Sequence, residues 1–246
     1  MSQRPTFLTA DWRYLAMLNY EIDPALLQPF VPNGCVLDTW QDRCFVSMVG
    51  FLFLKTRVLG VPIPFHRDFE EVNLRFYVRR EESAEVRRGV VFIKEIVPKK
   101  AIAFVARTLY GEKYVAMPMR HEIEPADRPS SIHYGWRRKG LPAGEWEGLS
   151  ARIGGEPVLP PEESEETFIT EHYWGYSSLR GGGTVEYQVE HPRWRVWRAS
   201  EASLELDATV LYGATFAEAL AGEPSSAFVA DGSSIVVRAG RRLPTK

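Results

Sequence analysis

The chain has few of the features that would assign it to a specialised class of protein. Its 246 residues include only two cysteines, Cys35 and Cys44. Two cysteines are too few for a disulfide framework, and their spacing fits neither a CxxC redox motif nor a zinc site. We therefore expect two reduced thiols and a cytoplasmic protein.

Long apolar runs and an excess of charge are also missing. The longest apolar stretch, residues 44–54, is shorter than the roughly 20 apolar residues of a membrane-spanning helix. The N-terminal MSQRPTFLTADWRY lacks the apolar segment of a secretory signal. With 30 basic and 32 acidic residues the net charge is −2, so bulk charge predicts neither nucleic acid nor an anionic membrane as partner.

Sequence motifs for common cofactors and nucleophiles are absent as well. No GxGxxG loop follows a strand, and there is no GxSxG nucleophile elbow. The five histidines form no HxH or HExxH pair, so no metal site is predicted. His172 and His191 could each line a pocket, although a structural role is the simpler interpretation of both.

The chain that remains is typical of a globular protein rich in strands. Hydrophobic residues make up 45% and charged residues 25%, which is enough for a sizeable core. Short helices are predicted over 23–34, 99–111 and 212–222, and strands over most of the rest, with a final hairpin around an Asp-Gly turn. This pattern favours a mostly antiparallel sheet, closed as a barrel or packed as a sandwich. The loop 156–166 could divide the chain, but both sides look alike, so residues 1–246 are predicted to be one domain.

Residues 70–80 alternate as a half-buried strand does, and 86–97 are the expected hairpin partner. Val72, Leu74, Phe76 and Val78 share one face, whereas the opposite face carries four polar or amphipathic residues, Glu71, Asn73, Arg75 and Tyr77. That second face could be a solvated surface with an ion pair. It could also line a barrel, where a carboxylate beside an arginine could move protons or bind a carboxylate.

Two adjacent lysines, Lys99 and Lys100, follow Pro98 at the start of an apolar run. A lysine amine becomes nucleophilic when its pKa falls, and a cationic neighbour, burial and a helix N-terminus all lower it. The segment could supply all three. An ordinary exposed lysine pair is the competing interpretation.

Four short stretches resemble acetoacetate decarboxylases. These are ALLQPFVPNGCVLDTW (25–40), VPKK (97–100), WRY (12–14) and FEE (69–71). The chain as a whole is more similar to an uncharacterised bacterial domain-of-unknown-function family of the acetoacetate decarboxylase-like superfamily. The stretches that carry this second resemblance are DWRYLAMLNYEIDPALLQPFVPNGCVLDTW, FEEVNLRFYV, AIAFVARTLYGEKYVAMPM and LYGATFAEAL.

The resemblance implies an acetoacetate decarboxylase-like closed or conical β-barrel with a few short peripheral helices. It also implies that Lys99 forms a Schiff base with a β-keto acid, and that Lys100 lowers the pKa of Lys99, which is the lysine activation for which that enzyme is the standard example. Arg13 would hold the substrate carboxylate and Glu71 would move protons, with no cofactor or metal. Assembly into a homo-oligomer is a further expectation by analogy.

The principal alternative is a non-catalytic barrel that binds a small anionic or carbonyl ligand without a covalent bond. In that case Lys99, Lys100, Arg13 and Arg75 would complement the charge of the ligand, with Asn73 beside them. A third reading is a relative in fold only, with a filled barrel and an exposed Lys99.

Overall fold

The computed structural model of the chain describes residues 4–82, 85–99, 113–125, 129–179 and 181–244. Within these ranges the strands form one mostly antiparallel sheet. In chain order they are β1 (Thr6–Glu21), β2 (Val36–Leu37), β3 (Phe45–Val58), β4 (Val61–Pro62), β5 (Phe69–Glu82), β6 (Glu85–Val97), β7 (Tyr114–Ala116), β8 (Met119–Glu124), β9 (Ser131–Trp136), β10 (Glu147–Ile153), β11 (Trp174–Ser178), β12 (Thr184–Glu190), β13 (Val196–Glu205), β14 (Ser226–Arg238) and β15 (Arg241–Arg242).

The described helices are short and lie between strands. They are α1 (Pro24–Leu27), which a 3-10 turn (Gln28–Phe30) extends, α2 (Glu165–Thr170), α3 (Ala208–Tyr212) and α4 (Ala214–Leu220). Asp23 caps α1 by accepting a hydrogen bond from the amide of Ala25 at 2.8 Å. In the described part of the chain, no helix has the length and apolar character needed to cross a membrane.

Seven strands close into a ring. The order is β1, β3, β5, β6, β11, β12 and β14, and β14 pairs with β1 to complete the circle. Neighbours are antiparallel except β6 and β11, which are parallel. The predicted mostly antiparallel sheet, closed on itself and bordered by short helices, is therefore confirmed.

A second group of strands packs against the outside of this ring. β13 pairs with β14, and β10, β9 and β8 follow it outward. Val46 and Leu74 of the ring share a buried cluster with Tyr134 and Leu149 of the outer strands. Gly50 permits this contact, because a Cβ at that position would lie 2.6 Å from Cδ2 of Tyr134.

The alternation predicted for β5 is confirmed. Val72, Leu74 and Phe76 are fully buried in the outer cluster. Glu71 and Asn73 are buried on the opposite face, inside the ring. The hairpin of β5 with β6 is confirmed too, with a bulge at the register shift between Leu74 and Arg75.

The predicted hairpin around Asp231 and Gly232 is wrong. β14 runs straight through both residues and pairs with β1 on one side. Gly232 has a φ of +85°, and a Cβ there would lie 2.0 Å from the carbonyl oxygen of Trp12. The glycine instead lies where β14 changes its second neighbour, since β14 pairs with β13 before it and with β12 after it.

The other predicted helices have different outcomes. The helix at 23–34 is confirmed by α1 and its 3-10 extension, and the helix at 212–222 by α4. The helix predicted over 99–111 lies outside the described residues, apart from its first position.

Candidate functional site

The ring encloses a cavity of about 350 Å³. This volume falls within the usual range for small-molecule sites, which begins at about 300 Å³. All seven ring strands contribute to its wall, for example through Trp12, Phe51, Glu71, Glu95, Gly175, Tyr187 and Val237.

Aromatic side chains form much of the wall. Trp12 lies 5.2 Å from Phe51 and 5.6 Å from Phe53 between ring centroids, and Phe53 stacks on Phe69 at 4.7 Å. His191 stacks on Trp194 at 4.0 Å. This part of the cavity can pack against the apolar body of a ligand.

Polar groups are concentrated where β5, β6 and β7 adjoin. Glu71, Asn73 and Arg75 alternate along β5 and all line the cavity. Glu95 of β6 pairs with Asn73 in the ladder, and Tyr114 of β7 pairs with Glu95. The cavity therefore has an aromatic wall and a charged wall.

Glu71 is buried at the centre of this polar group. It accepts hydrogen bonds from Nδ2 of Asn73 at 3.0 Å and from the hydroxyl of Tyr114 at 2.9 Å. Burial raises the pKa of Glu71 to about 7, although both hydrogen bonds and the charge of Arg75 act in the opposite direction. Burial and the charges of Glu71 and Glu95 raise the pKa of Tyr114 well above its ordinary value. Glu71 can therefore accept or release a proton near neutral pH.

Arg75 is 9% exposed. Its Nη2 contacts Sδ of Met17 at 3.9 Å and donates to the carbonyl of Ile169 at 3.4 Å. Among the residues that the structure describes, none provides a carboxylate within 4.0 Å of this guanidinium or a hydrogen bond to Nε. A buried cation of this kind attracts an anionic partner.

His172 is a further polar residue of the cavity wall. Its Nε2 lies 3.2 Å from Oδ2 of Asp38, which also accepts a hydrogen bond from Nε of Arg88 at 2.7 Å. Burial lowers the pKa of His172 to about 4, so the ring is neutral at neutral pH. Burial raises the pKa of Asp38, but the hydrogen bonds from His172 and Arg88 outweigh it and bring the value to about 2.

The structure brings three of the predicted site residues together and separates them from a fourth. Glu71, Asn73 and Arg75 share the cavity. Arg13 lies between Trp12 and Leu15, which face the cavity, and its own side chain is 37% exposed, with Nη1 3.4 Å from Oδ1 of Asp231. Arg13 is not among the described residues that line the cavity, so its predicted contact with a ligand carboxylate stays a prediction that this geometry does not support.

Lys99 lies just beyond β6 and is half-buried. It is not among the described residues that line the cavity. A hydrogen bond from His121 lowers the pKa of Glu70, and the charge of Lys99 contributes to the same effect. Lys99 is therefore near Glu70. Glu70 and Glu71 are successive residues of β5, so their side chains point to opposite faces of the strand, and Glu71 is the one that lines the cavity. Lys100 lies outside the described residues.

Two polar residues of the site, Glu95 and Tyr114, were missed from the sequence, and a third, His172, was considered as a pocket residue but was given a structural role as the simpler interpretation. Glu95 lies in a run of apolar residues, and the bulge opposite Arg75 changes which face its strand positions take. Tyr114 comes from a three-residue strand that pairs in parallel with β6. His172 depends on Asp38, which is 134 residues away in the chain. The position of His172 within an aromatic stretch was the sequence signal that made it a possible pocket residue.

No cluster of three or more His, Cys, Asp or Glu side chains in the described ranges is arranged to hold a metal ion. The polar wall of the cavity instead combines a cation, an uncharged imidazole and carboxyl groups. These groups suit an organic ligand with an acidic group.

A protein-family model described as an uncharacterized conserved protein, DUF2071, matches residues 9–234. The chain belongs to this family. The chain is also similar to the uncharacterized protein YqjF of Bacillus subtilis strain 168. It is 25% identical over 196 residues, which cover 79% of this chain and 76% of YqjF.

Several solved enzyme structures have a fold similar to that of this chain. The enduracididine biosynthesis enzyme MppR complexed with pyruvate has a TM-score of 0.68 at 14% identity, covering 99% of this chain and 92% of MppR. An acetoacetate decarboxylase-like enzyme from Sphingomonas wittichii RW1 has a TM-score of 0.66 at 14% identity, covering 98% and 95%. The DUF2071 chain therefore has an acetoacetate decarboxylase-like fold.

Proposed function

We propose that the protein binds a small organic acid inside the seven-strand ring, without a covalent bond to the chain. The ligand carboxylate pairs with Arg75, and its apolar body packs on Trp12, Phe51 and Phe53. The observation that carries this proposal is the buried guanidinium of Arg75, which has no carboxylate within 4.0 Å among the described residues. MppR, which shares the fold, was solved with pyruvate, a small oxo acid, and this supports the class of ligand.

Glu71 gives the site a group that can exchange a proton with such a ligand. Its pKa of about 7 lies close to neutral pH, which is the condition for efficient general acid or base catalysis. The proposal therefore includes proton transfer to or from the bound acid as the chemistry that this wall can perform.

Replacing Arg75 by methionine is expected to weaken the binding of carboxylic acids on the order of 100-fold, because a charge-assisted pair is lost from a buried site. Calorimetric titration with a panel of short-chain and phenyl-substituted carboxylates measures this change. The corresponding primary amides should lose far less affinity, since they carry no charge for Arg75 to neutralise.

Arg13→Met is the matched control for this experiment. Like Arg75→Met, it replaces an arginine side chain by methionine. Arg13 is on β1, its guanidinium is partly exposed, and it is not among the described residues that line the cavity. If Arg13→Met abolished acid binding while Arg75→Met retained it, the proposed binding mode would be wrong.

A covalent step at Lys99 is the second candidate function, and the acetoacetate decarboxylase-like fold is what favours it. A Schiff base needs the Lys99 amine inside the site, beside a ligand carbonyl. The position of Lys99 near Glu70 and away from the cavity wall favours non-covalent binding instead.

Borohydride trapping separates the two candidates. With oxo acids that bind by calorimetry, we expect no gain in mass at Lys99 after reduction, because the amine does not line the cavity. Peptide mapping by mass spectrometry checks this result. A ligand-sized gain at Lys99 that disappears in Lys99→Arg would establish Schiff-base chemistry and overturn the non-covalent proposal.

A further inference from the structure

We infer that the ligand is a carboxylic acid with an elongated apolar chain, held with its carboxylate at the closed end of the ring and its chain directed toward the open end. This inference rests on the proposed function and specifies the length and the orientation of the acid. Its basis is the different construction of the two ends of the cavity.

Arg75 lies at the end of the cavity that α2 covers. Phe168 of α2 packs 6.2 Å from Phe45 and 5.5 Å from Tyr77 between ring centroids, and Ile169 beside it is fully buried. Nη2 of Arg75 donates to the carbonyl of Ile169. Nη1 has no hydrogen-bond partner among the described residues and, unlike Nε, it is not enclosed by the protein. A carboxylate inside the ring can therefore reach Nη1, and α2 prevents it from passing further.

The opposite end of the cavity is open and apolar. Leu8 of β1 pairs with Val58 of β3 and with Val237 of β14, so these three residues form one level of the ring wall. All three line the cavity and are partly exposed. Ile63 directly follows β4, which pairs with the end of β3, and it lines the cavity while 40% exposed. We call this end, lined by Leu8, Val58, Ile63 and Val237, the mouth.

The distance between the two ends sets the length of the ligand. Phe69 is the first residue of β5 after the connection that contains Ile63, and Arg75 follows six residues later on the same strand. At about 3.3 Å per residue this part of β5 spans roughly 20 Å, and a strand tilt of about 40° leaves roughly 15 Å along the axis of the ring. An extended chain with carbon–carbon bonds of about 1.5 Å advances roughly 1.25 Å per carbon, so about twelve carbons cover this distance.

An apolar path connects Arg75 with the mouth along β1 and β3. Trp12, Phe51 and Phe53 line the cavity between the two ends, whereas its carboxyl groups are on β5 and β6. A short acid held at Arg75 would leave most of this path uncovered. Each methylene that moves from water onto the path buries apolar surface, which corresponds to about fourfold in affinity.

The surface beside the mouth is apolar as well. Leu59 and Phe65, in the connections on either side of β4, are 71% and 90% exposed. Exposed apolar side chains that group at the rim of a cavity are typical of the entrance to a ligand-binding site. A chain longer than the ring can continue onto this surface, where it is only partly removed from water.

The test is calorimetric titration of the wild-type protein with straight-chain acids from butanoate to tetradecanoate, each below its critical micelle concentration. We expect one binding site per chain and an affinity that rises about fourfold per added methylene up to about dodecanoate. For tetradecanoate the gain per methylene should fall below about twofold, because its last carbons lie outside the ring.

Ile63→Asn tests the position of the chain end. Loss of an apolar contact at the mouth should weaken dodecanoate about tenfold and leave hexanoate, whose chain ends before the mouth, within about twofold of its wild-type affinity. Leu159→Asn is the matched control. Leu159 is also an aliphatic loop residue, 53% exposed, and it is not among the described residues that line the cavity. This variant should change neither affinity.

The outcomes separate this inference from the proposed function. Tightest binding of butanoate or hexanoate, with longer acids excluded, would overturn the inference and leave the proposed function intact. Equal affinity of Ile63→Asn and the wild type for dodecanoate would do the same, provided that Arg75→Met still weakened binding. Failure of every acid to bind, or binding that Arg75→Met left unchanged, would overturn both.

A second measurement uses only the wild-type protein. Dodecanoate with a photoreactive diazirine on its last-but-one carbon should, after irradiation, label peptides that contain Val58 or Ile63. The isomer with the diazirine on the third carbon should label peptides that contain Ile169 or Thr170, which adjoin Arg75 and the cavity. Peptide mapping by mass spectrometry reads both results. The reverse pattern would overturn the inferred orientation.

Discussion

Replacing Glu186 by glutamine is expected to lower the free energy of unfolding by about 3 kcal/mol or more, the range measured when one partner of a buried ion pair is removed. Glu186 is fully buried on β12, and four arginines converge on its carboxylate. Oε1 lies 2.7 Å from Arg4, 3.0 Å from Arg87 and 3.1 Å from Arg241.

The same carboxylate holds together segments that are far apart in the chain. Arg80 approaches Oε2 at 3.3 Å from β5, and the hydroxyl of Tyr176 donates to Oε2 from β11 at 3.3 Å. Glutamine has nearly the same shape but no charge, so the arginines would lose their common partner and repel one another. Glu82 and Glu85 also pair with some of these arginines and would compensate in part.

Chemical denaturation of the variant at pH 7 measures the effect. The control is Glu201→Gln, because Glu201 and Arg152 form an exposed pair, 73% and 69% exposed, for which a change of 0–1 kcal/mol is expected. If the two variants were equally stable, the converging arginines would not depend on the charge of Glu186.

The stabilisation from Glu186 should also be lost in acid. Burial raises the pKa of Glu186, but the hydrogen bond from Arg4 and the charges of Arg87 and Arg241 outweigh it, so the folded-state pKa lies below the ordinary value of 4.5. The contribution is therefore fully present above pH 4.5 and disappears as the pH falls through the lowered folded-state pKa.

Replacing Glu71 by glutamine is expected to have the opposite effect on stability. The folded-state pKa of Glu71 is about 7 against an ordinary value of 4.5, so the folded protein favours the neutral carboxyl group. At 1.36 kcal/mol per pKa unit, ionising this group at high pH destabilises the fold by about 3 kcal/mol. Glutamine is neutral at every pH and avoids this loss.

The pH window follows from the same two pKa values. The stability associated with a neutral Glu71 is fully present below pH 4.5 and is lost as the pH rises to about 7. His172 and His191 act with the opposite sign, because burial lowers the pKa of each to about 4 from 6.5, so that their contribution rises with pH over the same window. The wild-type curve alone therefore mixes Glu71 with these histidines and with other groups whose pKa values are shifted.

The difference between Glu71→Gln and the wild type isolates Glu71, since both proteins contain the same histidines. We expect this difference in the free energy of unfolding to grow by about 2.5 kcal/mol in favour of the variant between pH 5 and pH 8. Urea denaturation at four pH values checks it, with Glu201→Gln as the control for loss of an exposed carboxylate. A flat difference would show that Glu71 ionises normally in the folded protein.

The sequence was most informative where one strand has two distinct faces. The alternation along β5 predicted both the outer cluster of Val72 and Leu74 and the polar row of Glu71, Asn73 and Arg75. It left open whether the polar row faced water or a barrel interior. That choice depends on closure of the ring by β14, which no local pattern encodes.

Local rules failed where a tertiary contact overrides them. Asp231 and Gly232 have the composition of a tight turn, but here the glycine permits the close approach of Trp12 within two long paired strands. Arg13 was singled out because a short motif matched a known family, and Lys99 because it stands beside Lys100 at the start of an apolar run and also matched that family. Neither signal carries the tertiary placement, which leaves the Arg13 guanidinium exposed and Lys99 near Glu70. Glu95, Tyr114 and Asp38 reach the site through distant pairings.

The position of β14 in the chain has a consequence for biosynthesis. β14 spans Ser226–Arg238 and completes the ring by pairing with β1, whose first paired residue is Thr6. A ribosome translating this chain exposes β1 early, and β1 then lacks one of its neighbours for more than two hundred residues of elongation. The aromatic interior remains open to water, and to chaperones that bind apolar strands, throughout that time. The ring can enclose a ligand only after β14 has emerged, so ligand binding cannot stabilise a nascent chain before that point.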